Sequence, residues 1–148
     1  MVSNPERIVI LVEGGFVTKK LQIPEGPYPT VADVVKLCKT DLLLKPRLKG
    51  ASIFRVFYYD APPEGGASKN PLDGSPLDFF TYLHGAHRKA LLDGLEMEDD
   101  FAVRRGELAF RGWKLGDAAL KNMAKAPRLP EGRDFRGVFS PVLVSTAA

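Results

Sequence analysis

The chain has 148 residues, of which 45% are hydrophobic and 26% are charged, and its formal net charge is +3. This size and composition are those of one soluble globular domain with enough apolar residues for a core. A single cysteine, Cys38, excludes an internal disulfide. No stretch reaches the length of a transmembrane helix, and the first apolar run is too short for a signal peptide. We therefore expect no membrane association and a cytoplasmic location.

Two apolar segments each end at a carboxylate. Residues 7–12 precede Glu13, and residues 53–59 precede Asp60. Because both segments are apolar on consecutive residues, they predict parallel strands that are covered on both faces. The carboxyl ends of parallel strands form one edge of a sheet, where open α/β proteins bind ligands. Glu13 and Asp60 are thus predicted neighbours at this edge, where two carboxylates would begin a divalent-metal site.

A helix is predicted between these strands. Thr30 has the properties of an N-cap, with Asp33 three residues later. The apolar residues that follow at helical spacing are Val31, Val34, Val35, Cys38 and Leu42. The helix should end before Pro46. The strand–helix–strand order predicts a βαβ unit, whose crossover is nearly always right-handed.

The remaining elements predict a mixed α/β chain. A long loop spans residues 60–76, and a helix spans 77–96 with Ser75 as its N-cap. Strands at 101–104 and 107–111 are predicted to form an antiparallel hairpin, and a last helix spans 116–126. Residues 138–144 are a candidate strand that Pro141 interrupts. No internal repeat or linker divides the sequence, so we predict a single domain over residues 1–148.

Several segments resemble the NYN domain family, a branch of the PIN-like nucleases. They are Arg55-Val56-Phe57-Tyr58-Tyr59-Asp60-Ala61-Pro62-Pro63, Asn70-Pro71-Leu72, Arg88-Lys89-Ala90-Leu91-Leu92 and Arg104-Arg105-Gly106-Glu107-Leu108-Ala109-Phe110-Arg111-Gly112-Trp113. The resemblance covers residues 7–126 and leaves residues 127–148 as an atypical tail. It implies a Rossmann-like, PIN-like α/β fold: a parallel sheet with flanking helices and a small antiparallel hairpin, incomplete at the carboxyl terminus.

The same resemblance implies an activity and a set of site residues. Members cleave RNA with Mg²⁺ or Mn²⁺, which strand-end acids hold and which activates a water to attack a phosphodiester. Carried over to this sequence, Glu13 and Asp60 become the metal ligands and catalytic acids, and Gly14 and Gly15 could hold a phosphate on their backbone amides. The alternatives are a strand-end Glu13 in a glycine turn and an Asp60 that caps backbone amides.

Two departures from the family bear on activity. The family has aspartate in a phrase Asp-Gly-x-Asn, where this chain has Glu13-Gly14-Gly15-Phe16; glutamate displaces the ligand oxygen, and Phe16 cannot ligate. The later family phrases Lys-Gly-Val-Asp and Ser-Gly-Asp-Ser-Asp have no counterpart here. We therefore expect weak or absent ribonuclease activity and an open sheet edge, covered by the tail, a second copy or a partner chain.

The carboxyl-terminal third is basic, with nine Lys/Arg and four Asp/Glu from residue 101 onward. This balance favours a polyanionic partner such as RNA. The predicted RNA-binding residues are Arg104, Arg105, Arg111, Lys114 and Trp113. The cationic side chains would bind phosphates, and the Trp113 ring would stack on a base. The alternative is a solvated basic face over an aromatic core. The corresponding alternative function is a non-catalytic RNA-binding or protein-interaction module.

Overall fold

The computed structural model describes residues 4–24, 26–62, 65–129 and 139–146. They form two compact units. The first contains residues 4–24, 26–62 and 86–106, and the second contains residues 65–85, 107–129 and 139–146. The prediction of a single domain over the whole chain stays a prediction.

The helices and strands of both units follow in chain order. They are β1 (Arg7–Glu13), α1 (Gly14–Leu21), α2 (Val31–Lys36), β2 (Ser52–Asp60), β3 (Ala67–Lys69), β4 (Pro76–Asp78), α3 (Phe79–Tyr82), α4 (Gly85–Glu96), β5 (Phe101–Arg105), β6 (Glu107–Leu115), α5 (Asp117–Lys125) and β7 (Phe139–Thr146). A π turn at Leu37–Asp41 and short 3-10 turns at Leu42–Leu44 and Pro46–Leu48 continue from α2.

A three-stranded parallel sheet forms the centre of the first unit. Its strand order is β1-β2-β5, and β2 pairs in parallel with both neighbours. The predicted strands 7–12 and 53–59 and their parallel pairing are therefore confirmed. The predicted helix start is confirmed as well, because Thr30 and Asp33 form a reciprocal capping box at α2. These hydrogen bonds from Thr30 lower the pKa of Asp33.

Helices cover one face of this sheet. The buried core residues are Val12, Val17, Val34, Cys38, Val56, Tyr58, Leu91, Leu92, Leu95 and Phe101. They come from β1, β2 and β5 on one side and from α1, α2, the π turn and α4 on the other. Cys38 is fully buried, and burial raises the pKa of its thiol to about 11. It is thus a small core residue, as the sequence predicts, and not a nucleophile.

The opposite face of the sheet is exposed. Leu11 is 69% exposed, Val9 49% and Tyr59 43%. The prediction that both faces are covered is therefore wrong for the part of the chain that the structure describes. Consecutive apolar residues would fill both sides of a strand between two helix layers, but in this unit only one side reaches the core.

The second unit contains two antiparallel pairs, β3-β4 and β6-β7. Aromatic side chains pack within it: the ring centroids of Phe79 and Phe110 lie 4.9 Å apart, and those of Phe110 and Trp113 lie 6.2 Å apart. The indole Nε1 of Trp113 donates to Ser68 Oγ at 3.1 Å. The aromatic-core alternative is thus met only in part, because the rings form a cluster but Trp113 is half-buried and Phe110 is exposed.

The predicted hairpin between residues 101–104 and 107–111 is wrong. The first segment is β5, which pairs with β2, and the second belongs to β6, which pairs with β7. The candidate strand around Pro141 does form, because a register shift in β6 places Pro141 opposite Trp113 beside the irregularity. Val138, the start of that prediction, lies outside the described residues.

The predicted helix over residues 77–96 begins later than predicted and is interrupted, so that it forms α3 and α4. Residues Pro76–Asp78 form β4, and Asp78, not Ser75, caps α3 by accepting from the Thr81 amide. The chain then breaks at His84, whose φ is +55°, before α4 begins. A Cβ on Gly85 would lie 2.3 Å from the Phe80 ring, so the break depends on a close approach that only glycine permits.

The coarse fold class is a mixed α/β chain with a parallel sheet, flanking helices and small antiparallel sheets. The finer assignment to a PIN-like Rossmann fold stays a prediction. Among the residues described, no helix is long and apolar enough to cross a membrane.

Candidate functional site

The two predicted acids end adjacent parallel strands. Glu13 ends β1 and lies opposite Tyr59, the residue before Asp60 at the end of β2. Side chains in register share a face of the sheet, and successive residues alternate. Glu13 is accordingly exposed on the side of Tyr59, whereas Asp60 is buried on the side of Tyr58. The two side chains therefore begin at a shared edge of the sheet but on opposite faces of it.

Glu13 is the N-cap of α1. Its Oε1 accepts from the Gly15 amide at 3.0 Å, and its Oε2 accepts from the Phe16 amide at 2.6 Å. The first amides of a helix have no partner within the helix, and a carboxylate there also meets the positive end of the helix dipole. Both oxygens of Glu13 are thus bonded to the chain that follows, as in the turn alternative.

The glycines after Glu13 have a packing role. An ideal Cβ on Gly14 would lie 2.8 Å from Tyr58 Cε1 and 2.9 Å from Asp60 Cβ, so only glycine lets α1 begin this close to β2. The amide of Gly15 is already bonded to Glu13. Phosphate binding by Gly14 and Gly15 stays a prediction, and it would require the phosphate to displace the cap at Gly15.

Asp60 forms a buried ion pair with Arg88 of α4. The Arg88 Nη2 donates to Asp60 Oδ1 at 2.6 Å, and the two side chains are 14% and 4% exposed. The same Oδ1 accepts from the Ala61 amide at 2.8 Å, which is the amide cap that the sequence allowed as an alternative. Because the pair is withdrawn from water, each charge depends on the other for its compensation.

The surroundings of Asp60 do not fit a divalent cation. Among described atoms, Asp60 Oδ2, Tyr58 Oη and Arg88 Nε are buried without a hydrogen-bond partner. Burial, and then the Asp60 charge, raise the pKa of Tyr58, so its hydroxyl stays protonated. The guanidinium that contacts Asp60 is a donor and cannot ligate a cation, whereas Mg²⁺ requires an octahedron of oxygen ligands.

Clusters of metal-binding side chains are a second requirement for a metal site. No group of three or more His, Cys, Asp or Glu side chains that could hold a metal ion occurs in the described part of the chain. Mg²⁺ or Mn²⁺ binding by Glu13 and Asp60 stays a prediction from the family resemblance, and no catalytic step can be derived from this geometry.

The predicted RNA-binding residues divide between the two units. Arg104 and Arg105 belong to β5 of the first unit and point to opposite faces of the sheet. Arg105 donates from Nε to Glu96 at 2.9 Å and from Nη2 to Asp93 at 2.8 Å. These bonds raise the pKa of Arg105, chiefly through Glu96. Arg104 is exposed, and its Cζ lies 5.9 Å from the Phe57 ring centroid.

The other three predicted residues lie on β6 of the second unit. Arg111 and Lys114 are exposed, and Trp113 is half-buried in the aromatic cluster. A bulge between β6 and β7 surrounds Gly112, whose φ of +101° is readily adopted only by glycine. RNA binding by Arg111, Lys114 and Trp113 stays a prediction.

A different surface combines cations and aromatic rings on one continuous side of the parallel sheet. We call it the outer face, and its residues are Arg7, Val9, Leu11 and Glu13 of β1, Phe54, Arg55, Phe57 and Tyr59 of β2, and Ala102 and Arg104 of β5. A register shift between Ile8 and Val9 makes Phe54 a bulge residue and brings it to the same side as Arg55.

The arginines of the outer face are free of carboxylates. Among the residues that the structure describes, Arg7, Arg55 and Arg104 form no ion pair. The Cζ of Arg7 instead lies 4.4 Å from the ring centroid of Phe54, within cation–π range. Positive charge on this face is therefore available to a ligand.

Of this surface, the sequence pointed only to Glu13 and Arg104 as site residues, and to Arg104 alone for RNA binding. A signal was present in Arg55, which interrupts the second apolar run and could not be buried between two helix layers without a partner. The register shift that aligns Phe54 with Arg55 had no local signal.

The sequence matches no protein-family model, no curated protein and no solved structure at a significant level. The NYN assignment therefore stays a prediction from the quoted segments.

Proposed function

We propose that this protein is a non-catalytic RNA-binding module that binds RNA on the outer face. The observation that carries the proposal is the combination of three arginines that form no ion pair among the described residues with exposed aromatic rings on one sheet face. Cations without internal partners can release counterions from phosphates, and open sheet faces with aromatic rings are a common platform for RNA.

The strand ends support the non-catalytic part of the proposal. Asp60 is neutralised by Arg88, and both oxygens of Glu13 cap α1. A hydrolytic metal would have to replace a guanidinium and open a helix cap. These groups are used for folding, which agrees with the weak or absent cleavage that the departures from the family predict.

RNA binding is tested by fluorescence anisotropy with a labelled single-stranded RNA between 50 and 200 mM salt. The variant is Arg7→Ala/Arg55→Ala/Arg104→Ala, and the matched control is Lys45→Ala/Arg47→Ala/Lys49→Ala, which removes three exposed cations outside the sheet. We expect the outer-face variant to reduce the slope of log affinity against log salt by about 2, since each phosphate contact contributes about 0.7. Equal loss in both variants, or no binding by the wild type, would refute the proposal.

The absence of catalysis is tested separately. The chain is incubated with single-stranded and structured RNA in the presence of Mn²⁺, beside the Glu13→Gln variant. We expect no metal-dependent cleavage by either protein. Robust cleavage that Glu13→Gln abolishes would favour the second candidate, a metal-dependent NYN/PIN-like endoribonuclease, for which the quoted segments are the supporting observation.

A further inference from the structure

We infer that the outer face binds unpaired bases, with Phe54 and Tyr59 as stacking platforms, so that its ligand is single-stranded RNA and not a duplex. This inference rests on the proposed RNA-binding function and adds a mode of recognition to it. The two rings are 47% and 43% exposed on β2, the central strand of the sheet.

The rings and cations alternate across the face. Arg7 lies over Phe54 from β1, and Arg104 lies over Phe57 from β5, with Cζ to centroid distances of 4.4 Å and 5.9 Å. A strand rises about 3.3 Å per residue, which puts Tyr59 roughly 7 Å beyond Phe57 and roughly 16 Å beyond Phe54. A chain of several splayed nucleotides can thus meet aromatic faces along β2 while its phosphates remain near the arginines on both sides.

Duplex RNA would gain little from this arrangement. Its bases are paired and stacked on one another, and their faces are not available to a protein ring. Stacking on aromatic side chains requires unpaired bases and tolerates any base type, since every base has a π-face. We therefore predict that the outer face prefers single-stranded RNA to duplex RNA and does not discriminate between base sequences.

A second copy of this chain is the rival occupant, because Val9 and Leu11 are apolar and exposed. In a two-fold interface, however, each residue of one copy meets the equivalent surface of the other. The outer face carries three arginines and one glutamate, and both oxygens of Glu13 are already bonded within its own chain. Two such faces would repel each other, whereas a polyanion would neutralise them.

The test compares Phe54→Leu/Tyr59→Leu with Tyr82→Leu, an equally exposed aromatic residue that belongs to the second unit. Leucine keeps an apolar side chain on the face and removes the ring. Affinities are measured for one labelled RNA as a single strand and as a duplex with its complement, and thermal unfolding confirms that each variant is folded.

We expect the double variant to weaken single-strand binding by about tenfold or more, with an unchanged salt slope, and to leave weak duplex binding unaltered. The Tyr82 variant should bind like the wild type. Equal affinity of the wild type for duplex and single strand, or no loss in the double variant, would overturn the inference.

The same experiments separate this inference from the proposed function. If the arginine variant lowers the salt slope but the leucine variant binds normally, RNA binding stands and base stacking is refuted. If the wild type binds no RNA, the proposed function itself is refuted. A concentration-dependent dimer that Leu11→Arg dissociates, together with absent RNA binding, would assign the face to a second copy.

Discussion

The two faces of the parallel sheet come from the same three strands, but they differ in burial and in how their charges are compensated. On the covered face, buried side chains pack against helices, and charged groups have internal partners. On the outer face, apolar residues are exposed, and the arginines form no ion pair with any described carboxylate, although Arg7 and Arg104 lie near aromatic rings. Arg104 and Arg105 are adjacent in the chain, yet Arg104 is exposed beside Phe57 while Arg105 bonds to Asp93 and Glu96.

This difference separates charges that stabilise the fold from charges that are available for binding. A buried cation must be compensated within the protein, because it has lost its water. An exposed cation keeps its water and can exchange it for a ligand phosphate. Residue type alone therefore does not distinguish these two kinds of charge.

The largest expected effect is on the covered face, where Arg88→Met leaves the Asp60 carboxylate buried without its partner. We expect the free energy of unfolding to fall by about 3–5 kcal/mol, measured by urea denaturation. Lys89→Met is the control, because that lysine is 65% exposed and its ion pair with Asp93 is on the surface. An equal, small effect of both substitutions would contradict a structural role for the buried pair.

Alanine substitutions of one leucine on each face compare how much the two faces contribute to stability. Leu95 is fully buried in α4, and Leu11 is 69% exposed on β1. Leu95→Ala should lower the free energy of unfolding by about 2–5 kcal/mol, since it removes transfer energy and leaves a cavity. Leu11→Ala should cost less than about 1 kcal/mol. A comparable loss at Leu11 in chemical denaturation would mean that the outer face is covered in solution.

The close contact at the start of α1 predicts an intermediate effect. Gly14→Ala would place a Cβ within 3.0 Å of Tyr58 and Asp60, so these core groups must shift. We expect a loss of about 1–3 kcal/mol, typical of overpacking. Gly15→Ala is the matched control, because its Cβ would meet only the end of the Glu13 side chain. Thermal unfolding of the two variants should therefore differ clearly.

The smallest effect concerns pH. The pKa of Cys38 rises from 9.0 to about 11 through burial. Below pH 9.0 the folded and unfolded chains both keep the proton; between pH 9.0 and about 11 only the unfolded chain releases it, so stability falls as the pH rises. In the Cys38→Ala variant the loss of stability should begin at higher pH. The loss that remains in this variant is due to tyrosines such as Tyr58, because burial raises their pKa as well. Identical pH profiles from urea denaturation would contradict this assignment.

Much of the local structure could be predicted from the sequence. The apolar runs of β1 and β2, the Thr30 cap of α2 and the helix within residues 116–126 depend on interactions between near neighbours. Prediction failed where distant contacts decide the outcome. The predicted start of the 77–96 helix instead forms β4, which pairs with β3, and the partner of β5 is β2, far back in the chain.

The positions of Glu13 and Asp60 at one edge of the sheet followed from the sequence, because each carboxylate directly follows an apolar strand. The sequence also allowed both carboxylates to cap backbone amides, but it did not predict the ion pair of Asp60. Asp60 forms its ion pair with Arg88, which lies 28 residues later in the chain. The bulge that aligns Phe54 with Arg55 arises only when β2 pairs with β1. Strand propensity is a local property, whereas the choice of which face is buried, and so which charges stay free, depends on what packs against the completed sheet.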